Sequence, residues 1–166
     1  MKQIAISPLT NKSYTAIYKD KVLGSLHYRH WYSTRGTITM DNGQQYIIER
    51  KGFWGTSHEV KKEGKAVLLL KAKWDGGIAI ISPGEPKYYF EFKPKGLMGS
   101  SYVLINNKQE ELLIMTANFS WKKFSSGYGV NCGDNFGNNE EEQLLLWVSV
   151  YHFKAAQAMA IAAVAN

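Results

Sequence analysis

The sequence predicts a mainly β protein in which about ten to twelve antiparallel strands, closed or stacked, surround one hydrophobic helix at the C-terminus. Two observations carry this prediction. Up to about residue 132, short runs of β-branched and aromatic residues alternate with turn signals at intervals of roughly 8 to 12 residues. The later stretch 144–165 is apolar on nearly every face, so it must be buried in a large core or in a bilayer.

Size and composition predict one domain over residues 1–166, with strands over about 2–132 and a helix over about 139–165. Five Trp, ten Tyr and seven Phe favour strand-rich structure. The N-terminal residues have no secretion signal, and the single cysteine, Cys132, cannot form a disulfide within the chain. We therefore expect a cytoplasmic protein in which Cys132 packs at the end of a strand.

The clearest strand signal is a hairpin at residues 36–50. Asp41, Asn42 and Gly43 separate two strand-like runs. An Asn-Gly pair such as the one formed by Asn42 and Gly43 is the strongest short-range hairpin signal. Later runs are bounded by similar turn residues, and in one of them Phe90 and Phe92 alternate with polar residues, as a strand with one wet face requires. These further predicted strands cover residues 66–73, 78–82, 87–93 and 101–105.

The helix start is predicted at Asn138 and Asn139. Asparagine caps exposed backbone amides, and three glutamates at 140–142 follow at the positive end of the helix dipole. Four polar residues in the middle of the helix argue against a membrane span, since a lysine near mid-membrane costs about 2.5–3.5 kcal/mol on insertion scales. We expect burial inside protein, where the four need partners from strands or must emerge; they are Ser149, His152, Lys154 and Gln157.

Charge makes an anionic partner a candidate. The net charge is +6, and residues 1–123 carry 19 basic against 10 acidic residues. Such a basic body suits anionic lipid head groups, nucleic acid or an acidic protein, while simple solubility remains the alternative.

Basic side chains beside tryptophans form the candidate site. Lys71 and Lys73 share one strand face and precede Trp74, and a second pair of lysines follows another tryptophan. If those strands are neighbours, the set would bind an anion at an interface; if not, it is the solvated outside of the sheet. The candidate anion-binding residues are Lys71, Lys73, Lys122 and Lys123, and the candidate interfacial aromatics are Trp74 and Trp121.

No motif predicts catalysis, a metal or a cofactor. His27 and His30 lie three apart, so on a strand they point to opposite faces and cannot share an ion. Walker, nucleophile-elbow and dinucleotide patterns are missing from the sequence. We therefore expect a non-enzyme, with an enzyme site assembled from distant residues as an open alternative.

The succession of strands and short polar turns, with a Trp-Lys element before the helix, resembles the tubby-like superfamily. This family includes the tubby C-terminal domain, phospholipid scramblases and LURP-one-related proteins. The segments that carry the resemblance are 69–74 (LLKAKW), 87–92 (KYYFEF), 101–109 (SYVLINNKQ), 111–117 and 121–123 (WKK). The resemblance implies a closed barrel of about twelve antiparallel strands with the helix in its lumen and, in tubby proper, a phosphoinositide site on basic strands.

The leading functional hypothesis is a non-enzymatic binding or tethering domain, cytoplasmic and peripheral at a membrane. Its expected partner is an anionic phospholipid or phosphoinositide, or an acidic protein. Single-stranded nucleic-acid binding is the first alternative, because basic and aromatic side chains also build such sites. An enzyme or small-ligand carrier is the second, although a helix in the lumen would fill the usual cavity.

Overall fold

The computed structural model is a closed antiparallel barrel of twelve strands with one C-terminal helix, which confirms the predicted fold class. It describes residues 1–53, 55–84, 89–97, 100–120 and 125–165. The elements are β1 (Lys2–Thr10), β2 (Ser13–Tyr18), β3 (Lys21–Tyr28), β4 (Gly36–Met40), β5 (Gln45–Lys51), β6 (Ser57–Lys62), β7 (Lys65–Ala72), β8 (Ile78–Ile81), β9 (Tyr89–Lys95), β10 (Ser101–Asn106), β11 (Glu111–Ser120), β12 (Ser125–Cys132) and α1 (Glu140–Ala165).

Each strand pairs with its neighbours in sequence, and β1 closes the barrel against β12, with Ile4 opposite Val130. Because the strands alternate in direction, the connections after β2, β4, β6, β8 and β10 lie at one end of the barrel. The helix begins at that end, which we call the entry end. The connections after β1, β3, β5, β7 and β9 lie at the other end, where the helix leaves the barrel; we call it the exit end.

The barrel lumen is filled by the first part of α1. Strand residues alternate between lumen and solvent, as in β4, where Ile38 and Met40 are buried. Eight consecutive helix residues, 144–151, are buried, so more than two full turns are covered on every face. Trp147, Val148 and Phe153 have no exposed surface at all. The helix is thus the centre of the hydrophobic core, as its sequence predicts.

Gly24 makes room for the largest of these side chains. Its φ of +141° is strained for any residue with a side chain, and a Cβ there would lie 2.5 Å from the Thr39 carbonyl oxygen and 3.1 Å from Nε1 of Trp147. The Trp147 indole therefore occupies space that a side chain on β3 would fill. Its N–H has no hydrogen-bond partner among the described residues.

The outer part of the helix differs from the prediction that all of 144–165 fills the lumen. Residues 158–165 are exposed, with Met159 at 74%, Ile161 at 71% and Val164 at 89%. The barrel is shorter than the helix, because strands of four to ten residues tilted in a barrel cannot cover a helix of 26 residues. Lys154 and its neighbours mark the level at which α1 leaves the core.

Candidate functional site: the exit end of the barrel

Exposed large apolar side chains are concentrated at the exit end. Every described exit-end connection carries at least one in it or beside it, and the emerging helix adds three more. The three at or near the entry end, among the described residues, are Met1, Val22 and Tyr89, and Tyr89 is only 39% exposed. The exit-end residues are Leu9, Trp31, Tyr32, Phe53, Trp74 and Leu97, together with Met159, Ile161 and Val164.

Three of these exit-end side chains are almost completely exposed to solvent. Phe53 is 93% exposed, Trp74 is 97% exposed and Leu97 is fully exposed. Phe53 and Leu97 sit beside glycines with positive φ, which turn the chain tightly and leave the tip side chains outside the core. Isolated surface apolar residues are ordinary, but a set gathered at one end of a molecule is a candidate interaction surface.

The charge of the two ends differs in sign. The described exit-end connections contain Lys12, Arg29, Arg35 and Lys73 against the single acid Asp75. The described entry-end hairpins contain two lysines against four acids, and the three glutamates of the helix start lie at the same end. The exit end is therefore basic and apolar, and the entry end is acidic and polar.

Polar side chains stabilise the entry end internally. The Asn139 side chain accepts a hydrogen bond of 2.9 Å from the Glu142 backbone N–H, which confirms the predicted helix cap. Glu140 accepts from the Tyr46 hydroxyl and pairs with Lys62 at 2.8 Å. Lys61 pairs with both Glu49 and Glu59. Both Lys61 and Lys62 therefore form ion pairs with carboxylates of the protein itself, and neither is a free cation.

Of the sequence-predicted anion site, the structure describes Lys71, Lys73 and Trp74, which lie on β7 or directly after it. Strand β7 pairs with β6 and β8, and three strands separate it from β11, the strand that precedes residues 121–123 in the sequence. Lys71 is exposed, and Trp74 projects from the exit end. Lys73 pairs with Glu91 at 2.7 Å, and this contact raises the pKa of Lys73 and lowers that of Glu91. Trp121, Lys122 and Lys123 lie outside the described residues.

The polar residues of the helix middle find partners where α1 leaves the barrel. His152 lies 2.9 Å from the Gly76 carbonyl oxygen, and the Tyr151 hydroxyl donates to the Thr34 carbonyl at 2.6 Å. Ser149, by contrast, donates to the Leu145 carbonyl of its own helix at 2.8 Å, so it needs no strand partner. These contacts tie the helix to two exit-end connections.

Lys154 has only an aromatic partner among the contacts of the described residues. Its Nζ lies 3.7 Å from the centre of the Tyr28 ring, within the range of a cation–π interaction. Burial lowers the pKa of this half-buried lysine. Burial also raises the pKa of the neighbouring Tyr151 to about 12, which nearby Arg50 partly opposes.

The remaining sequence candidates are structural. The Ser13 hydroxyl lies 2.7 Å from His27 Nδ1, and His30 stacks on Tyr32, so the two histidines have separate partners. Cys132 is buried at the end of β12, as predicted, and burial raises its pKa. Among the described residues, no group of three His, Cys, Asp or Glu side chains could hold a metal ion.

Sequence reasoning missed the gathering of Trp31, Phe53 and Leu97 at one end. The sequence did contain a signal for it: in an antiparallel barrel every second connection falls at the same end, and these three residues lie in alternate connections.

By length and composition α1 could also cross a membrane, with a mean hydropathy of 1.3 in its apolar window, although core helices of soluble proteins pass the same test. No protein-family model, curated protein or solved structure matches the chain.

Proposed function

We propose that this protein is a non-enzymatic, tubby-like tethering module that docks its exit end on an anionic membrane surface. The observation that carries the proposal is the set of exposed apolar residues on the exit-end connections, with Trp31, Tyr32 and Trp74 among them. Tryptophan and tyrosine are favoured at the membrane interface because their rings are apolar and their N–H or O–H remains hydrated.

The outer part of α1 has the length of one leaflet. From Ala155 to Ala165 it spans about 16 Å at 1.5 Å per residue, roughly half of a 30 Å hydrocarbon layer. Apart from Gln157, this segment consists of alanine, methionine, isoleucine and valine. Inserting it would bury exposed apolar surface at about 25 cal/mol per Å², while Lys154 would remain near the phosphate level.

Charge supports the same orientation. Anionic lipids attract basic residues by about 1 kcal/mol for each lysine or arginine near the surface. The basic exit end would therefore face an anionic phospholipid or phosphoinositide, with the acidic entry end away from it. Lys71, three residues before Trp74 in the sequence, is an exposed lysine suited to such contact.

Vesicle sedimentation tests the proposal. The protein is expected to bind vesicles containing phosphatidylserine or phosphoinositide more strongly than phosphatidylcholine vesicles, and added salt should reduce the difference. A double variant, Phe53→Ser with Trp74→Ser, should weaken binding at least tenfold. The matched control is Val22→Ser, which removes an exposed apolar residue near the entry end and should leave binding unchanged.

The same experiment separates the alternatives. Exposed aromatics with basic residues also suit single-stranded nucleic acid, but stacking on bases gives no role to the aliphatic outer helix. Binding to an oligonucleotide with no binding to anionic vesicles would overturn the membrane proposal. Equal loss of vesicle binding in Val22→Ser would also overturn it.

A further inference from the structure

A groove of about 720 Å³ opens at the exit end between the emerging helix and the β3–β4 connection. This size lies in the range of small-molecule sites. Trp31 and Tyr32 line one side, and Ala155, Ala158 and Met159 of α1 line the other. The walls of the groove are therefore mostly aliphatic and aromatic.

Two cations lie in this groove. Lys154 is half-buried against the Tyr28 ring, and Arg50, at the end of β5, is exposed on the rim. Neither takes part in the ion pairs formed by the described residues, whereas Lys61, Lys62, Lys73 and other lysines do. A half-buried ammonium without a carboxylate is costly, and an anion entering the groove would offset that cost.

The order of polar and apolar groups along the helix defines the shape of a ligand. Lys154 lies at the barrel rim, and Ala158 follows one turn further out on the same face, beside Met159. A ligand with its charged head at the rim would therefore extend its apolar part outward, against Trp31. A long-chain carboxylate has this shape, and arginine can hold a carboxylate through two parallel hydrogen bonds.

We propose that the groove binds one single-chain amphiphile with a carboxylate head, held by Arg50 and Lys154, and with its chain between Trp31 and Met159. This site is distinct from membrane docking, because a soluble fatty acid would occupy it without any bilayer. It also differs from a lumenal carrier site, since the lumen is filled by α1.

Calorimetric titration with laurate below its micelle concentration tests the site without vesicles. We expect one laurate per protein and at least tenfold weaker binding of dodecanol, which has the same chain and no charge. Arg50→Gln and Lys154→Met should each weaken laurate binding at least tenfold. Lys51→Gln is the matched control, because it removes the neighbouring charge of β5 outside the groove.

Thermal unfolding of each variant checks that the fold is retained. Lys154→Met keeps a linear side chain over Tyr28 and removes a half-buried charge, so its melting temperature should not fall. Absence of laurate binding, equal binding of dodecanol, or equal effects of Lys51→Gln and Arg50→Gln would overturn the proposal. A stable dimer that covers Met159 and excludes laurate would also overturn it, and would assign the groove to a second copy.

Discussion

The two ends of this barrel are built from the same kind of antiparallel connection, yet they differ in what they do with their side chains. At the entry end, Glu140 accepts hydrogen bonds from both Tyr46 and Lys62 at the start of the helix. At the exit end, Phe53 and Trp74 extend into solvent. Since both ends serve the fold equally well as connections, folding alone does not account for the apolar exit end, and the proposed membrane contact would account for it.

The two parts of α1 repeat this contrast within one helix. Both are apolar, but Phe153 has no exposed surface and Ile161 is 71% exposed. The inner part is stabilised by the barrel around it. The outer part has no such cover among the described residues, so burial in the core does not account for its apolar character.

The largest expected effect of a single substitution separates these two parts. Phe153→Ala should lower the free energy of unfolding by about 3–5 kcal/mol, because it leaves a cavity in the packed lumen. Ile161→Ala should change it by less than about 0.5 kcal/mol, as for other exposed positions. Urea unfolding of both variants measures the difference. Similar values for the two would show that the outer part is also packed in the folded protein.

Truncation makes the same comparison with whole segments. A chain that ends after Gln157 should keep a cooperative unfolding transition, since the buried helix residues remain. A chain that ends before Asn138 should not fold, because the lumen would be empty. Circular dichroism during thermal unfolding checks both. A folded barrel without the inner helix would contradict the role of α1 as the core.

Gly24 tests how closely the inner helix fits. Gly24→Ala should destabilise the protein by about 1–3 kcal/mol, because the left-handed backbone and the contact with the Thr39 carbonyl both oppose a side chain. Gly43→Ala is a useful control at the entry end: its φ is also positive, but a Cβ there would meet nothing within 4 Å. The urea midpoint should therefore fall further for Gly24→Ala than for Gly43→Ala.

The smallest expected effect is a pH dependence at the exit end. Burial lowers the pKa of both His152 and His58. At His58 the charge of Arg50 lowers the pKa further. At His152 the Gly76 carbonyl and Asp75 partly oppose the decrease. Because the folded protein binds these protons less readily than the unfolded chain, their contribution to stability is present above about pH 6.5. It is lost as the pH falls through the lowered pKa values.

Unfolding at pH 7.5 and pH 5.5 measures this loss. The urea midpoint should fall at the lower pH, and His152→Gln, which keeps an amide near the Gly76 carbonyl, should reduce the fall. Acidic residues also respond to pH, so the test is the difference between the fall in the wild-type protein and the fall in His152→Gln. An identical fall in both would remove His152 from the account.

The sequence predicted those features that depend on local chemistry or on overall apolar content. Asn139 capped the helix as expected, and the 41–43 turn joined the predicted hairpin. Features set by barrel closure were not predicted. Lys71 and Lys73 were grouped with Lys122 and Lys123 on the condition of neighbouring strands, and closure placed three strands between β7 and β11.

The level at which α1 leaves the barrel could not be predicted from the sequence either, because it depends on strand tilt and barrel height rather than on the helix sequence. The sequence left two alternatives for His152 and Lys154: hydrogen-bond partners on the strands, or emergence where the helix leaves the core. In the structure they mark the rim, where His152 meets the Gly76 carbonyl and Lys154 covers the Tyr28 ring.

The most direct test of the central claim is the depth of the outer helix in a bilayer. An environment-sensitive fluorophore is attached at Ile161→Cys and, as the matched control, at Asn42→Cys in an entry-end turn; the buried Cys132 should resist labelling in the folded protein. With anionic vesicles, the label at 161 should shift to shorter wavelength and be quenched by lipid-borne quenchers, and the label at 42 should not. No shift at 161, or the same shift at both positions, would contradict exit-end docking.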